Sequence, residues 1–141
     1  MLFRSAAVES TGDAQFDLVI TDAYDGAQMP TSVASLEYVR EVARVLAPGG
    51  TYAVNVADLP PAIFTRIEAA TLCAVFPDVC AIGEQGMLRG RRYGNVVLAA
   101  GASLPVDRLA RIAARDEIRA KVLHGDELDD FIGGVGPMLD A

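Results

Sequence analysis

The sequence has no tryptophan, one histidine (His124) and two cysteines (Cys73 and Cys80). Two cysteines are too few for a disulfide scaffold, so we expect reduced thiols and a cytoplasmic protein. One histidine leaves almost no material for a multi-histidine metal site or a serine-hydrolase triad. These shortages exclude the zinc-enzyme and serine-hydrolase classes, and no metal site is predicted.

The chain also lacks a long apolar run and an excess of basic residues. No segment approaches the roughly 20 apolar residues of a membrane span, so no membrane partner is predicted. The net charge is −7, with 12 Lys and Arg against 19 Asp and Glu, and such a chain repels phosphate backbones. We therefore expect no nucleic-acid partner. With 141 residues, 52% of them hydrophobic, one domain over residues 1–141 is predicted, with a poorly defined amino-terminal segment at residues 1–15.

The hydrophobic pattern predicts an α/β fold. Strands are predicted at residues 16–22, 51–57, 79–82 and 95–100, and helices at 31–46, 60–76, 105–123 and 126–132. A helical crossover joins the first two strands, which predicts a parallel pair. A polar, Gly- and Arg-rich link at residues 83–93, with no helix, joins the last two, which predicts an antiparallel pair. The predicted order is therefore β-α-β-α-β-β-α, with parallel strands followed by an antiparallel pair.

Acidic residues follow the first two predicted strands: Asp22 and Asp25 the first, and Asp58 the second. Ligands of open α/β sheets bind beyond the carboxyl ends of the strands, which makes these residues candidates for a site. Aspartate is also common as a turn or helix-capping residue. On spacing alone the turn interpretation is favoured, because D-x-x-D is a weak pattern.

Several stretches resemble a known family. Residues 16–25 read FDLVITDAYD, residues 44–50 read RVLAPGG, residues 88–98 read LRGRRYGNVVL and residues 122–128 read VLHGDEL. Together they resemble the carboxyl half of spermidine synthases, and more closely the spermidine synthase-like proteins of actinobacteria. The L-x-P-G-G pattern is shared with many S-adenosylmethionine-dependent methyltransferases, whereas D-x-x-D after that strand indicates aminopropyl transfer.

The resemblance implies a function and a set of site residues. It implies transfer of an aminopropyl group from decarboxylated S-adenosylmethionine, a co-substrate rather than a tightly bound cofactor, to an amine such as putrescine. Asp22 matches the family's proton acceptor and also borders the co-substrate, while Asp25 matches a residue that binds the cationic amine. Pro30 matches the loop proline beside the adenine pocket, and Tyr24 is expected to line the amine channel. The family's D-S-S-D-P is here D-A-Y-D-G.

Residues 1–15 contain a single glycine, Gly12, and so do not provide the Gly-rich turn that holds such a co-substrate. The resemblance therefore implies that the chain corresponds to the second half of the family's domain, a partial Rossmann-like (class I methyltransferase-like) sheet. Two alternatives to aminopropyl transfer stay open: a methyltransferase on the same fold, and a non-catalytic module for binding or dimerisation. The apolar residues 18–20 are expected to form an unpaired sheet edge, which predicts a homodimer or aggregation.

Overall fold

The computed structural model describes residues 8–22 and 29–139. Ten strands and helices follow one another along these residues. They are β1 (Phe16–Thr21), α1 (Leu36–Val45), β2 (Leu46–Asp58), α2 (Ile63–Cys73), β3 (Asp78–Glu84), α3 (Gln85–Leu88), β4 (Gly94–Gly101), α4 (Val106–Arg115), β5 (Ala120–His124) and α5 (Asp126–Ile132). A short 3-10 turn, Thr31–Val33, precedes α1.

The five strands form one mixed sheet in the order β1-β2-β4-β3-β5. The pair β1–β2 is parallel, and the other three pairs are antiparallel. The predicted α/β fold is confirmed, as are the parallel first pair and the antiparallel pair of β3 and β4. Because β1, β2 and β3 run in the same direction, their carboxyl ends meet at one edge of the sheet, beside the amino end of β4.

The main core lies on one face of the sheet. The side chains of Tyr52, Val54 and Val56 alternate along β2 and are fully buried against helices on that face. The opposite face has a smaller cluster, which includes Ala113 of α4 and Cys80 of β3. This smaller cluster involves β3, β4 and β5, so the same face of β1 receives no helix among the described residues.

Helix α1 follows the sequence prediction closely. Ser35 is its N-cap, and the Ser35 hydroxyl accepts a hydrogen bond from the Tyr38 N–H at 3.3 Å. Val39 and Val42 lie on the buried face. Arg44 in the last turn donates to the carbonyl of Thr11 at 2.8 Å, which attaches the segment before β1 to this helix.

The helix predicted for residues 105–123 is wrong in its second half. Helix α4 ends at Arg115, and Ala120–His124 forms β5 instead. Val122 and Leu123 pair with the outer edge of β3. Backbone hydrogen bonds between these two distant strands therefore form in place of the predicted helix. The ring Nε2 of His124 lies 2.6 Å from Asp78 Oδ1.

The polar link at residues 83–93 also differs from the prediction. It contains the one-turn helix α3, in which Met87 and Leu88 are buried. A four-residue helix is too short for its apolar residues, Met87 and Leu88, to repeat at helical spacing, so the sequence pattern does not predict it. Across the described residues, no helix is long and apolar enough to cross a membrane.

Candidate functional site

Asp22 lies at the carboxyl end of β1, directly after the strand, and is exposed. The Asn55 side-chain amide of β2 donates a hydrogen bond to Asp22 Oδ1 at 3.4 Å. Asn55 lies between Val54 and Val56 in β2, and its side chain contacts the candidate proton acceptor.

A buried hydroxyl cluster fixes the end of β1 just before Asp22. The Tyr52 hydroxyl donates to Thr21 Oγ1 at 2.7 Å, and the Tyr38 hydroxyl lies 3.4 Å from the same oxygen. Burial raises the pKa of Tyr52 well above its usual value, so its hydroxyl stays protonated and remains a donor. Hydrogen bonds in a buried setting restrict the backbone that carries Asp22.

A cavity of about 510 Å³ opens at the same edge of the sheet. Its wall is mainly apolar, with a tyrosine, a threonine and one carboxylate. The lining residues are Met29, Thr31, Ala57, Asp58, Leu59, Phe64, Tyr93 and Met138. Ala57 stands two residues after Asn55 on β2, which places the Asp22 contact roughly 7 Å along the strand from the cavity wall.

The described part of the chain stops after Asp22 and resumes at Met29. Tyr24 and Asp25, the two predicted amine-binding residues, lie outside the described residues. Pro30 is half-buried and precedes the 3-10 turn, and its two neighbours, Met29 and Thr31, are both in the cavity wall. The structure therefore places Asp22 and Pro30, two of the predicted site residues, at the same edge of the sheet.

Asp58 has a structural role that the turn interpretation predicts. Its Oδ1 accepts from the Leu59 N–H at 2.8 Å. Its Oδ2 accepts from both the N–H and the hydroxyl of Thr65, each at 2.9 Å, which satisfies a free N–H in the first turn of α2. The carboxylate gives the cavity a negative charge, but its oxygens are already engaged.

Two residues of the cavity wall have no functional signal in the sequence. Tyr93 directly precedes β4 and belongs to the link that its composition predicts to be solvated. Met138 belongs to the Gly-rich tail. The Met138 N–H donates to the Thr71 hydroxyl at 2.9 Å, and its carbonyl accepts from the Leu36 N–H at 2.7 Å, so the tail is attached to two helices. These long-range bonds have no local sequence signature.

The described residues contain no group of three histidine, cysteine, aspartate or glutamate side chains arranged to hold a metal ion. The site offers a carboxylate beside an apolar cavity. Such an arrangement can accept a proton from, and attract, a cationic ligand with an aliphatic chain.

No protein-family model and no curated protein matches the sequence. Solved structures do match. A probable spermidine synthase from Corynebacterium glutamicum has 28% sequence identity and a TM-score of 0.86 over 97% of this chain, and the match covers 52% of the other chain. The spermidine synthase from Thermotoga maritima, at 15% identity, shares the fold with a TM-score of 0.56 over 81% of this chain and 39% of its own.

The chain thus spans about half the length of the Corynebacterium protein. The resemblance found in the sequence motifs and the structural match agree with one another, and both extend over nearly the whole chain. The structural match thus supports the resemblance of the chain to spermidine synthases, and its fold is a partial Rossmann-like, methyltransferase-like sheet.

Proposed function

We propose that this chain provides the amine side of an aminopropyltransferase of polyamine biosynthesis. The position of Asp22 carries the proposal, because it lies at the carboxyl end of β1, held by Asn55, close to a mainly apolar cavity. An aliphatic diamine such as putrescine presents a methylene chain to apolar walls and ammonium groups to carboxylates. The structural similarity to spermidine synthases supports the same chemistry at the level of the family.

The proposed reaction needs a neutral amine. An alkyl ammonium group has a reference pKa of about 10.4 and cannot attack carbon until it loses a proton. Asp22 accepts that proton. The amine nitrogen then forms a bond to the aminopropyl carbon next to the sulfonium of decarboxylated S-adenosylmethionine, the carbon–sulfur bond breaks, and the thioether nucleoside leaves. Asp25 and Tyr24 contact the amine, and Asp22 and Pro30 border the nucleoside.

The proposal extends to the setting of the protein. It places the enzyme in the cytoplasm as a homodimer, with decarboxylated S-adenosylmethionine as co-substrate and no tightly bound cofactor.

Diamine binding tests the proposed function directly on this chain. Titration with putrescine, followed by NMR, is expected to shift residues of the cavity wall, whereas butylamine, which has one charge, is expected to bind more weakly. Asp25→Asn is expected to weaken putrescine binding by roughly tenfold, since one charged hydrogen bond contributes about 1.5–3 kcal/mol. Asp17→Asn, an exposed carboxylate on β1, is the matched control and leaves binding unchanged. Equal binding of both amines would contradict the proposal.

The nucleoside is expected to bind this chain weakly. Residues 1–15 lack the Gly-rich turn whose backbone N–H groups would hold the charged end of the co-substrate. Isothermal titration with decarboxylated S-adenosylmethionine should give little heat at concentrations where putrescine binds. A dissociation constant in the micromolar range for the chain alone would show that other residues replace the missing turn.

A further inference from the structure

A second cavity, of about 290 Å³, lies at the opposite end of the sheet from β1. Residues of the helices α2, α3 and α5 and of the strand β5 form most of its wall. The strand order separates β5 from β1 by the three strands β2, β4 and β3. This cavity therefore shares no lining residue with the cavity beside Asp22.

Three cationic side chains line this second cavity, in a protein whose net charge is −7. They are Arg66, Arg89 and Lys121. Lys121 Nζ lies 2.8 Å from Glu127 Oε2, so these two charges neutralise each other. The other charged side chains of the wall are two arginines and one aspartate, Asp130, which leaves a single net positive charge.

The guanidinium of Arg66 is held in place by its neighbours. Its Nε donates to the Pro61 carbonyl at 3.0 Å, and its Nη1 donates to the Phe131 carbonyl. Its Cζ lies 4.6 Å from the centre of the Phe131 ring, a cation–π contact. These bonds use two of the five N–H groups of an arginine, so donors remain for a ligand.

A close backbone contact brings Arg89 towards Arg66. Gly90 has a φ of +68°, and a Cβ at this position would lie 3.1 Å from the Cα and the carbonyl oxygen of Pro61, whose carbonyl Arg66 contacts. Glycine alone fits such an approach without strain. Arg89 is the C-cap of α3, and its exposed side chain has no ion pair or hydrogen bond among the residues that the structure describes.

The floor of this cavity is apolar. Leu88, Leu123 and Phe131 line it, and all three are buried. We propose that the cavity binds a small organic carboxylate, with the carboxylate on Arg66 and Arg89 and the apolar part on this floor. The planar guanidinium matches a carboxylate in geometry, and a few polar groups above an apolar surface are typical of small-molecule sites. The single net positive charge and the apolar floor favour an organic monoanion over inorganic phosphate.

Benzoate is the probe that tests the ligand class, because it has one carboxylate and one apolar ring. In NMR titrations of the chain, benzoate is expected to give saturable shifts at Leu123 and Phe131 in the millimolar range. Benzyl alcohol, which has the same ring without the charge, and inorganic phosphate, which has no apolar part, are each expected to bind at least roughly tenfold more weakly. Equal binding of benzoate and benzyl alcohol, tighter binding of phosphate, or no saturable benzoate shifts at these residues would overturn the proposal.

Substitutions with opposite expected effects test the site itself. Arg89→Gln is expected to raise the dissociation constant for benzoate roughly tenfold, because it removes a charged hydrogen-bond donor. Asp130→Asn is expected to lower it several-fold, because it removes a negative charge beside the ligand. Arg108→Gln and Asp126→Asn change exposed residues outside the cavity and are the matched controls, each expected to leave the constant unchanged. An effect of Arg89→Gln or Asp130→Asn no larger than that of its control would contradict the assignment. These titrations omit amine and nucleoside, so their outcome is separate from that of the proposed function.

Discussion

Asp22→Asn is expected to lower kcat for aminopropyl transfer by about 10²- to 10³-fold, with little change in the KM for the amine. Asparagine preserves the size of the side chain and the oxygen that accepts from Asn55, so the local geometry is retained. What is lost is the ability to accept the ammonium proton, which matters in the transition state rather than in binding. Steady-state kinetics on this chain, or on a form extended by the remaining half of the relative's length, measures the effect.

Two further variants make this result specific. Asp25→Asn is expected mainly to raise the KM for the amine, because it removes a binding charge and leaves the proton acceptor in place. Asp17→Asn controls for the loss of a negative charge near β1 and is expected to change neither constant. Small and equal effects of Asp22→Asn and Asp25→Asn on kcat would instead favour the methyltransferase or non-catalytic interpretation.

The second large effect is expected at Glu68, a fully buried carboxyl group in α2. Neither of its oxygens has a hydrogen-bond partner among the described residues, and burial raises its pKa from 4.5 to about 8. Tyr52 from β2 is the titratable group that interacts with it, and it stays neutral. Glu68 is therefore protonated in the folded protein at neutral pH, whereas it is ionised in the unfolded chain.

This difference makes stability depend on pH. The contribution of Glu68 to the free energy of unfolding is fully present below pH 4.5, where Glu68 is protonated in both the folded and the unfolded state. Between 4.5 and about 8 the unfolded state releases the proton and the folded state keeps it, so stability falls as pH rises. The expected loss is about 1 kcal/mol per pH unit in that window. Urea unfolding at a series of pH values measures it.

Substitutions distinguish the pH dependence caused by Glu68 from that caused by other titratable groups. Glu68→Gln is expected to remove most of the slope, and Glu68→Met, which is similar in volume and has no charge to bury, is expected to stabilise the protein at neutral pH. Glu117→Gln, at an exposed glutamate, is the control and is expected to keep the wild-type slope. Identical slopes for the wild type and Glu68→Gln would show that the carboxyl group is solvated or paired in solution.

Much of the fold was predictable because the relevant signals are local. The apolar run from Leu18 to Ile20 identified β1, and the helical crossover that follows it determined that β1 and β2 are parallel. The N-cap Ser35 begins α1 through a hydrogen bond to a backbone N–H three residues later. These effects require no knowledge of distant parts of the chain. The glycines at 49 and 50, predicted to stop this helix, lie inside β2 instead, because the helix already ends at Val45.

The strand β5 and the buried turn α3 were not predictable in the same way. Residues 120–123 have no pattern that excludes a helix, and they form a strand because the outer edge of β3 is available for pairing. Met87 and Leu88 are buried because the sheet and helices surround them. In both cases a contact between segments distant in sequence outweighs weak local preference.

For the candidate site, the sequence alone determined that Asp22 follows an apolar strand, and the motif resemblance assigned its role. Only the tertiary structure decided that Asn55 contacts it, that Asp58 caps α2, and that Tyr93 and Met138 share one cavity wall. The physical reason is that a strand or a turn is specified by residues close together in the sequence, through hydrophobic periodicity and backbone preference. A cavity instead joins side chains more than a hundred positions apart, such as Met29 and Met138, and whether they meet depends on how the sheet and helices pack.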